Sequence, residues 1–126
     1  GQIPPGITEL RIGETILTGC YVPEGNPVPY LYQDVFTLQA EVVEVRPRRI
    51  VVALGWLDVA VDGLRPRQRG LQVVGATSDH LVLEPLETTS VQVGDFLSFS
   101  LNYEALARVA GARCPIQRTV DAEKEE

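Results

Sequence analysis

The sequence has no methionine, a single lysine (Lys124), a single histidine (His80) and two cysteines, and each scarcity removes a class of chemistry. With His80 alone and no carboxylate cluster at ligand spacing, a metal centre has no ligand set to draw on, and none is expected. Cys20 and Cys114 follow neither metal nor redox spacing and are expected as reduced thiols. No Gly-x-Ser-x-Gly elbow, Cys-His pair or glycine-rich phosphate loop is present, so hydrolysis by such nucleophiles and nucleotide binding of that form lack support. There is no run of about 20 apolar residues to span a bilayer and no charged-then-apolar leader. A soluble, cytoplasmic protein without a membrane partner is the expectation. The missing methionine suggests that the chain either lost its initiator or is part of something longer.

Positive charge is scarce too. A net charge of −6 argues against a general nucleic-acid binder, which needs a positive field to displace phosphate counterions. The local exception is Arg46, Arg48, Arg49, Arg65, Arg67 and Arg69, which crowd one third of the chain and could form a basic face, with Asp58 and Asp62 among them. Such arginines are more often a solvated rim or an interface.

What the chain does have is length for one domain, 126 residues with 44% apolar, and short apolar segments separated by glycine and proline. Residues 71–74 and 81–83 read as two strands. They are interrupted by the small and polar patch Gly75, Ala76, Thr77, Ser78, Asp79 and His80, where a ladder would carry β-branched or aromatic residues. A bend or bulge is expected there, presenting Asp79 and His80. The plain alternative is a capped turn with a surface imidazole.

In order along the chain, residues 1–6 open without regular structure and residues 7–17 read as a strand ending at a turn. Residues 22–29 form a proline-rich loop. Residues 36–45 alternate apolar and polar, with a slip of phase at Val43 of the kind a bulge causes. Arg46 to Arg49 is a turn, and residues 50–54 are a continuous apolar strand that Gly55 ends. Asp62-Gly63 and Val93-Gly94-Asp95 are turn signals, Phe96 to Leu101 is the last strand, and residues 103–109 have helical spacing over a short span that fits extended chain equally well. Residues 118–126 carry four acids against one base after position 120 and are expected to be a disordered tail. Six or seven short strands with Gly and Pro turns imply an all-β fold, an antiparallel, Greek-key-like β barrel with at most one short helix.

Five stretches, taken in order, carry a resemblance: Leu10 to Leu17, Tyr32 to Phe36, Gly75 to His80, Val93 to Asp95 and Leu101 to Tyr103. Together they resemble the C-terminal part of the alanine/ornithine racemase family of pyridoxal-phosphate enzymes, over about residues 7–113. The resemblance implies an N-terminal α/β barrel domain of the same enzyme as partner and a head-to-tail homodimer. Residues 1–21 would be a terminal strand continuing from that missing barrel, residues 22–117 the C-terminal β domain, and residues 118–126 the tail.

The resemblance also implies roles. Arg11 would face the pyridine nitrogen of pyridoxal 5'-phosphate and keep it unprotonated, because a guanidinium holds its proton. Gly13 would let backbone approach the phosphate, and the Tyr103 hydroxyl would bond it. Ser78 and Asp79 would reach the substrate, with Asp79 the one candidate catalytic group in this chain. Read without the family, Arg11 is a salt-bridge partner, Gly13 a turn and Tyr103 a barrel-rim aromatic. Two departures stand out. The only lysine lies in the acidic tail, so the cofactor is not expected to bind covalently to this chain, which alone should be inactive. Family members also carry an additional segment between the positions of Val45 and Ile50, which in alanine racemases supplies a catalytic tyrosine. Here a tight turn occupies the place, so that loop is either deleted or absent from the sequence in hand. A non-catalytic dimerisation or interaction module is the alternative function. An RNA-binding barrel using the arginines is a third, disfavoured by the acidic balance and by the lack of aromatics beside them.

Overall fold

The computed structural model describes residues 3–21, 24–113 and 118–120, and divides into two units, residues 1–36 and 37–126. The second unit is built on six strands, β1 (Thr37–Arg46), β2 (Arg49–Val52), β3 (Leu64–Pro66), β4 (Leu71–Ala76), β5 (Leu81–Pro85) and β6 (Phe96–Leu101). All five pairings are antiparallel, in the order β3-β6-β1-β2-β5-β4, and the sheet curls until β3 and β4 come near one another. The result is a nearly closed barrel, which removes most of the exposed edge that an open sheet would present.

Alternation builds the interior. Ala40 and Val42 of β1, Ile50 and Val52 of β2, Leu81 and Leu83 of β5, and Leu97 and Phe99 of β6 all point inward and are buried. Two irregularities adjust the wall. The β1–β2 register shifts between Val42 and Glu44, and the β4–β5 register shifts between Val73 and Gly75. Both are where the sequence breaks its alternation, and a bulge is how an extra residue is accommodated without turning the rest of the strand inside out. The β1–β2 hairpin is closed by Pro47 and Arg48 alone, with no positive φ at either, the geometry a proline at the first turn position favours. Gly94, at φ 93°, turns the chain into β6 in a region other residues rarely enter.

One end of the barrel is covered. At the end where β1 begins and β6 finishes, the chain after β2 runs through Leu54, Val59 and Ala60 into a 3-10 turn (Val61–Gly63), and a helix of eight residues, α2 (Tyr103–Ala110), follows β6. Leu54, Val59, Val61, Leu64 and Ala105 are buried there. The Asn102 side chain accepts the Ala105 N–H at 2.9 Å and so caps the helix, while the Asn102 N–H donates to Gly63 O at 3.0 Å. No helix among the described residues is long and apolar enough to cross a membrane.

The first unit differs from its expected strand. Residues 7–17 form no ladder; their one regular element is a single helical turn, α1 (Thr15–Thr18), ended by Gly19 in the left-handed conformation at φ 70°. Partial alternation is not enough for a strand without a neighbour to pair with, and among the described residues of this unit the one bridge joins Cys20 to Pro27. The Gln33 side-chain amide gathers the loop by donating to Gly19 O at 3.2 Å and Val28 O at 3.0 Å, around the buried Val28. Cys20 is a free thiol; Cys114 and residues 121–126, including Lys124 and the acidic tail, lie outside the described residues.

Candidate functional site

The β4–β5 turn is held by its own backbone and by a neighbouring loop. Thr77 N–H donates to His80 O at 2.8 Å, and the Thr77 hydroxyl accepts the His80 N–H at 3.1 Å. From outside the turn, Trp56 N–H donates to Thr77 O and Leu57 N–H to Ser78 O, both at 3.0 Å. Gly55 makes this contact possible: a Cβ on it would lie 2.5 Å from Asp79 N and closer still to the Ser78 carbonyl. Gly55 is held in turn by the Asp58 carboxylate, which accepts its N–H at 3.1 Å. The carbonyls of Thr77, Ser78 and His80 are occupied, while the side chains of Ser78, Asp79 and His80 face solvent, and none has a side-chain partner among the described residues.

Tyr103 stands at the first position of α2 and is 44% exposed. Its hydroxyl has no hydrogen-bond partner among the described residues. The strand register puts this helix start and the β4–β5 turn at the same end of the barrel, since β6 ends opposite Leu64 and Thr37, and β4 gives way to β5 beyond Val52. Arg108, on the last turn of α2, donates to Trp56 O at 3.0 Å and so ties the helix to the loop that holds Ser78 and Asp79. Arg11 and Gly13 belong to the first unit. The Arg11 side chain is 92% exposed, with Glu9 at 3.6 Å, and Gly13 has open space where a Cβ would stand.

The six arginines do not share a face. Arg65 pairs with Ser100, which pairs with Thr37, so it lies at the start of β1, whereas Arg46 and Arg49 pair with each other at its end. Nine residues of extended strand separate the two levels, roughly 30 Å. Arg46 Nε and Arg49 Nη2 both meet Glu44 Oε1, at 2.9 and 2.8 Å. These hydrogen bonds, Arg49's first and Arg46's second, hold the Glu44 carboxyl below its usual range. Beside this cluster a shallow groove of about 340 Å3 runs over Val43, Val51 and Val82 toward Thr77 and His80; none of Arg11, Gly13, Ser78, Asp79 or Tyr103 lines it.

Sequence reasoning named Ser78, Asp79 and Tyr103 as candidates and did not single out Gly55 or Arg108. Gly55 reads in the sequence only as the end of a strand, and Arg108 only as a charged residue on a short helix. The contacts that give them meaning join residues more than twenty positions apart.

No protein-family profile matches the chain. It is 32% identical to a lysine racemase of Thermotoga maritima and 30% identical to an ornithine racemase of Acetoanaerobium sticklandii, in each case over 86% of this chain and 38% of the relative. The chain thus spans less than two fifths of the length of these curated relatives. Since 86% of 126 residues is about 108, an alignment of 134 positions leaves about 26 at which the lysine racemase carries residues that this chain does not. Over most of its length, therefore, this barrel-forming chain is similar to a part of two enzymes named as amino-acid racemases.

Proposed function

We propose that this chain is the C-terminal β-barrel part of a pyridoxal-phosphate-dependent amino-acid racemase, acting with an N-terminal α/β barrel domain and as a homodimer in the cytoplasm. The observation that carries the reading is the similarity to two racemases across 86% of the chain. Both relatives are named for diamino acids, and from this we take a basic amino acid as the substrate class.

Each unit, taken by itself, offers groups that such a site would use. The Tyr103 hydroxyl, exposed and without an internal partner among the described residues, is available to donate to a phosphate oxygen. Arg11 is a permanent cation whose described partner, Glu9, is a loose one at 3.6 Å, so its guanidinium is free to face a ring nitrogen and keep it without a proton. Gly13, with nothing where a side chain would be, leaves its backbone open to an anion. When bound, pyridoxal phosphate supplies an electron sink that acidifies the α-proton of an amino acid. No lysine lies among the described residues, so the covalent hold on its aldehyde falls to another part of the protein. Ser78 and Asp79 would meet the substrate. The Asp79 carboxylate carries the charge opposite to the distal ammonium of ornithine or lysine, and its fixed turn costs little ordering on binding.

The test is made in the full-length protein. Arg11→Ala and Tyr103→Phe should each weaken cofactor retention, read from absorbance after dialysis, and slow racemisation of ornithine and lysine about tenfold or more. Normal retention and activity in both variants would refute the assignments. Dimerisation without any effect on pyridoxal phosphate absorbance would favour the interaction module instead.

A further inference from the structure

We infer that Gly55 and Arg108 are positioning residues that set the place of the Ser78–Asp79 turn relative to the helix bearing Tyr103. This rests on the reading of that turn as substrate-facing. Three contacts carry it. The Trp56 and Leu57 amides donate to Thr77 O and Ser78 O, so the loop after β2 runs against the turn. Gly55 lies so close beneath the turn that any Cβ would strike backbone rather than a yielding side chain. The Arg108 guanidinium, from an otherwise exposed residue, donates to Trp56 O at 3.0 Å, fifty-two positions away in sequence.

The arrangement forms a chain of command from helix to turn. The start of α2 is seated on Gly63 through Asn102, its far end holds Trp56 through Arg108, and Trp56 and Leu57 hold the turn. The loop has no slack of its own, because the Asp58 carboxylate accepts the Gly55 N–H and the Val59 N–H donates back to Gly55 O at 3.2 Å. A displacement of the loop is therefore passed to Ser78 and Asp79. Reacting groups that must meet a substrate within a fraction of an ångström are sensitive to such shifts: a misplacement of about 1 Å costs about 100-fold in rate.

The experiment compares five forms of the full-length protein: wild type, Gly55→Ala, Arg108→Gln, Gly111→Ala and the conservative Arg108→Lys. Gly111 makes the same chemical change at a helix end where a Cβ meets only ordinary contacts, the nearest at 3.8 Å. Steady-state kcat and KM are measured with ornithine and lysine, alongside amide hydrogen exchange at Trp56 and Leu57 and the Tm. Gly55→Ala should lower kcat/KM about 100-fold. Arg108→Gln should lower it about tenfold, chiefly through KM, with Tm unchanged and Arg108→Lys restoring most of the loss. Gly111→Ala should stay within about twofold of wild type. Faster exchange at Trp56 and Leu57 should accompany the first two variants only. Gly55→Ala and Arg108→Gln with wild-type kinetics and wild-type exchange would overturn the inference, as would a loss of activity that merely follows the fraction unfolded. A wild type that racemises no amino acid would overturn the functional reading, and the exchange data would still decide whether this loop fixes the turn.

Discussion

Replacing Gly63 by alanine isolates the joint that seats the Tyr103 helix. Gly63 is buried and does not have a positive φ, so glycine is there for room rather than for conformation. A Cβ would overlap the Asn102 Oδ1 and would stand 2.6 Å from Asn102 Cγ and 2.8 Å from Ala105 Cβ. The Asn102 side chain must then swing away and release the Ala105 N–H that it accepts at 2.9 Å. Loss of the cap costs about 1 kcal/mol. The remaining crowding against Ala105, which is fully buried and cannot retreat, adds about 1–3 kcal/mol. A total of about 2–4 kcal/mol is expected for Gly63→Ala, against about 1 kcal/mol for Asn102→Ala. Because the cap can be lost only once, the double variant should be less damaged than the sum, by about 1 kcal/mol. Urea unfolding followed by the fluorescence of Trp56, the only tryptophan, gives these values, and Trp56 is tied to the same helix by Arg108. A Gly63→Ala cost below about 0.5 kcal/mol, or additivity within about 0.3 kcal/mol, would refute the argument.

Two further outcomes follow from charge. Because Arg49 and Arg46 hold the Glu44 pKa below its usual 4.5, their contribution to stability is present above that value and is lost as pH falls through the lowered one. NMR titration should find the Glu44 carboxyl titrating below its usual range, with Arg49→Met raising it; a Glu44 indifferent to Arg49 would contradict the geometry, and salt should weaken the effect because the site is exposed. If Asp79 meets a distal ammonium, Asp79→Asn should raise KM for ornithine and lysine about tenfold while leaving KM for alanine within about twofold. An equal change for all three substrates would show that Asp79 acts elsewhere.

The arginine pattern shows where local reading stops. Six arginines close in sequence suggested one basic face, yet antiparallel pairing carries Arg65 to one end of β1 and Arg46 to the other. Likewise the expected strand over residues 7–17 had a plausible pattern but no partner to pair with, and formed a single helical turn instead. β3 was not foreseen: Leu64, Arg65 and Pro66 have no strand signal of their own, and only the neighbouring β6 makes them one.

From the amino-acid order alone came the barrel wall apart from β3. Alternation over β1 with its slip at Val43, the apolar β2 and β6, and the small polar patch after β4 each encode a local periodicity, which a strand expresses wherever it finds a neighbour. The tertiary structure alone decided the seating of the candidate site residues in the second unit. Gly55 beneath Ser78, Gly63 beneath Asn102 and Arg108 on Trp56 depend on backbone segments brought together by sheet register. A glycine that makes room for a distant chain is, in the sequence, indistinguishable from one that merely ends a strand.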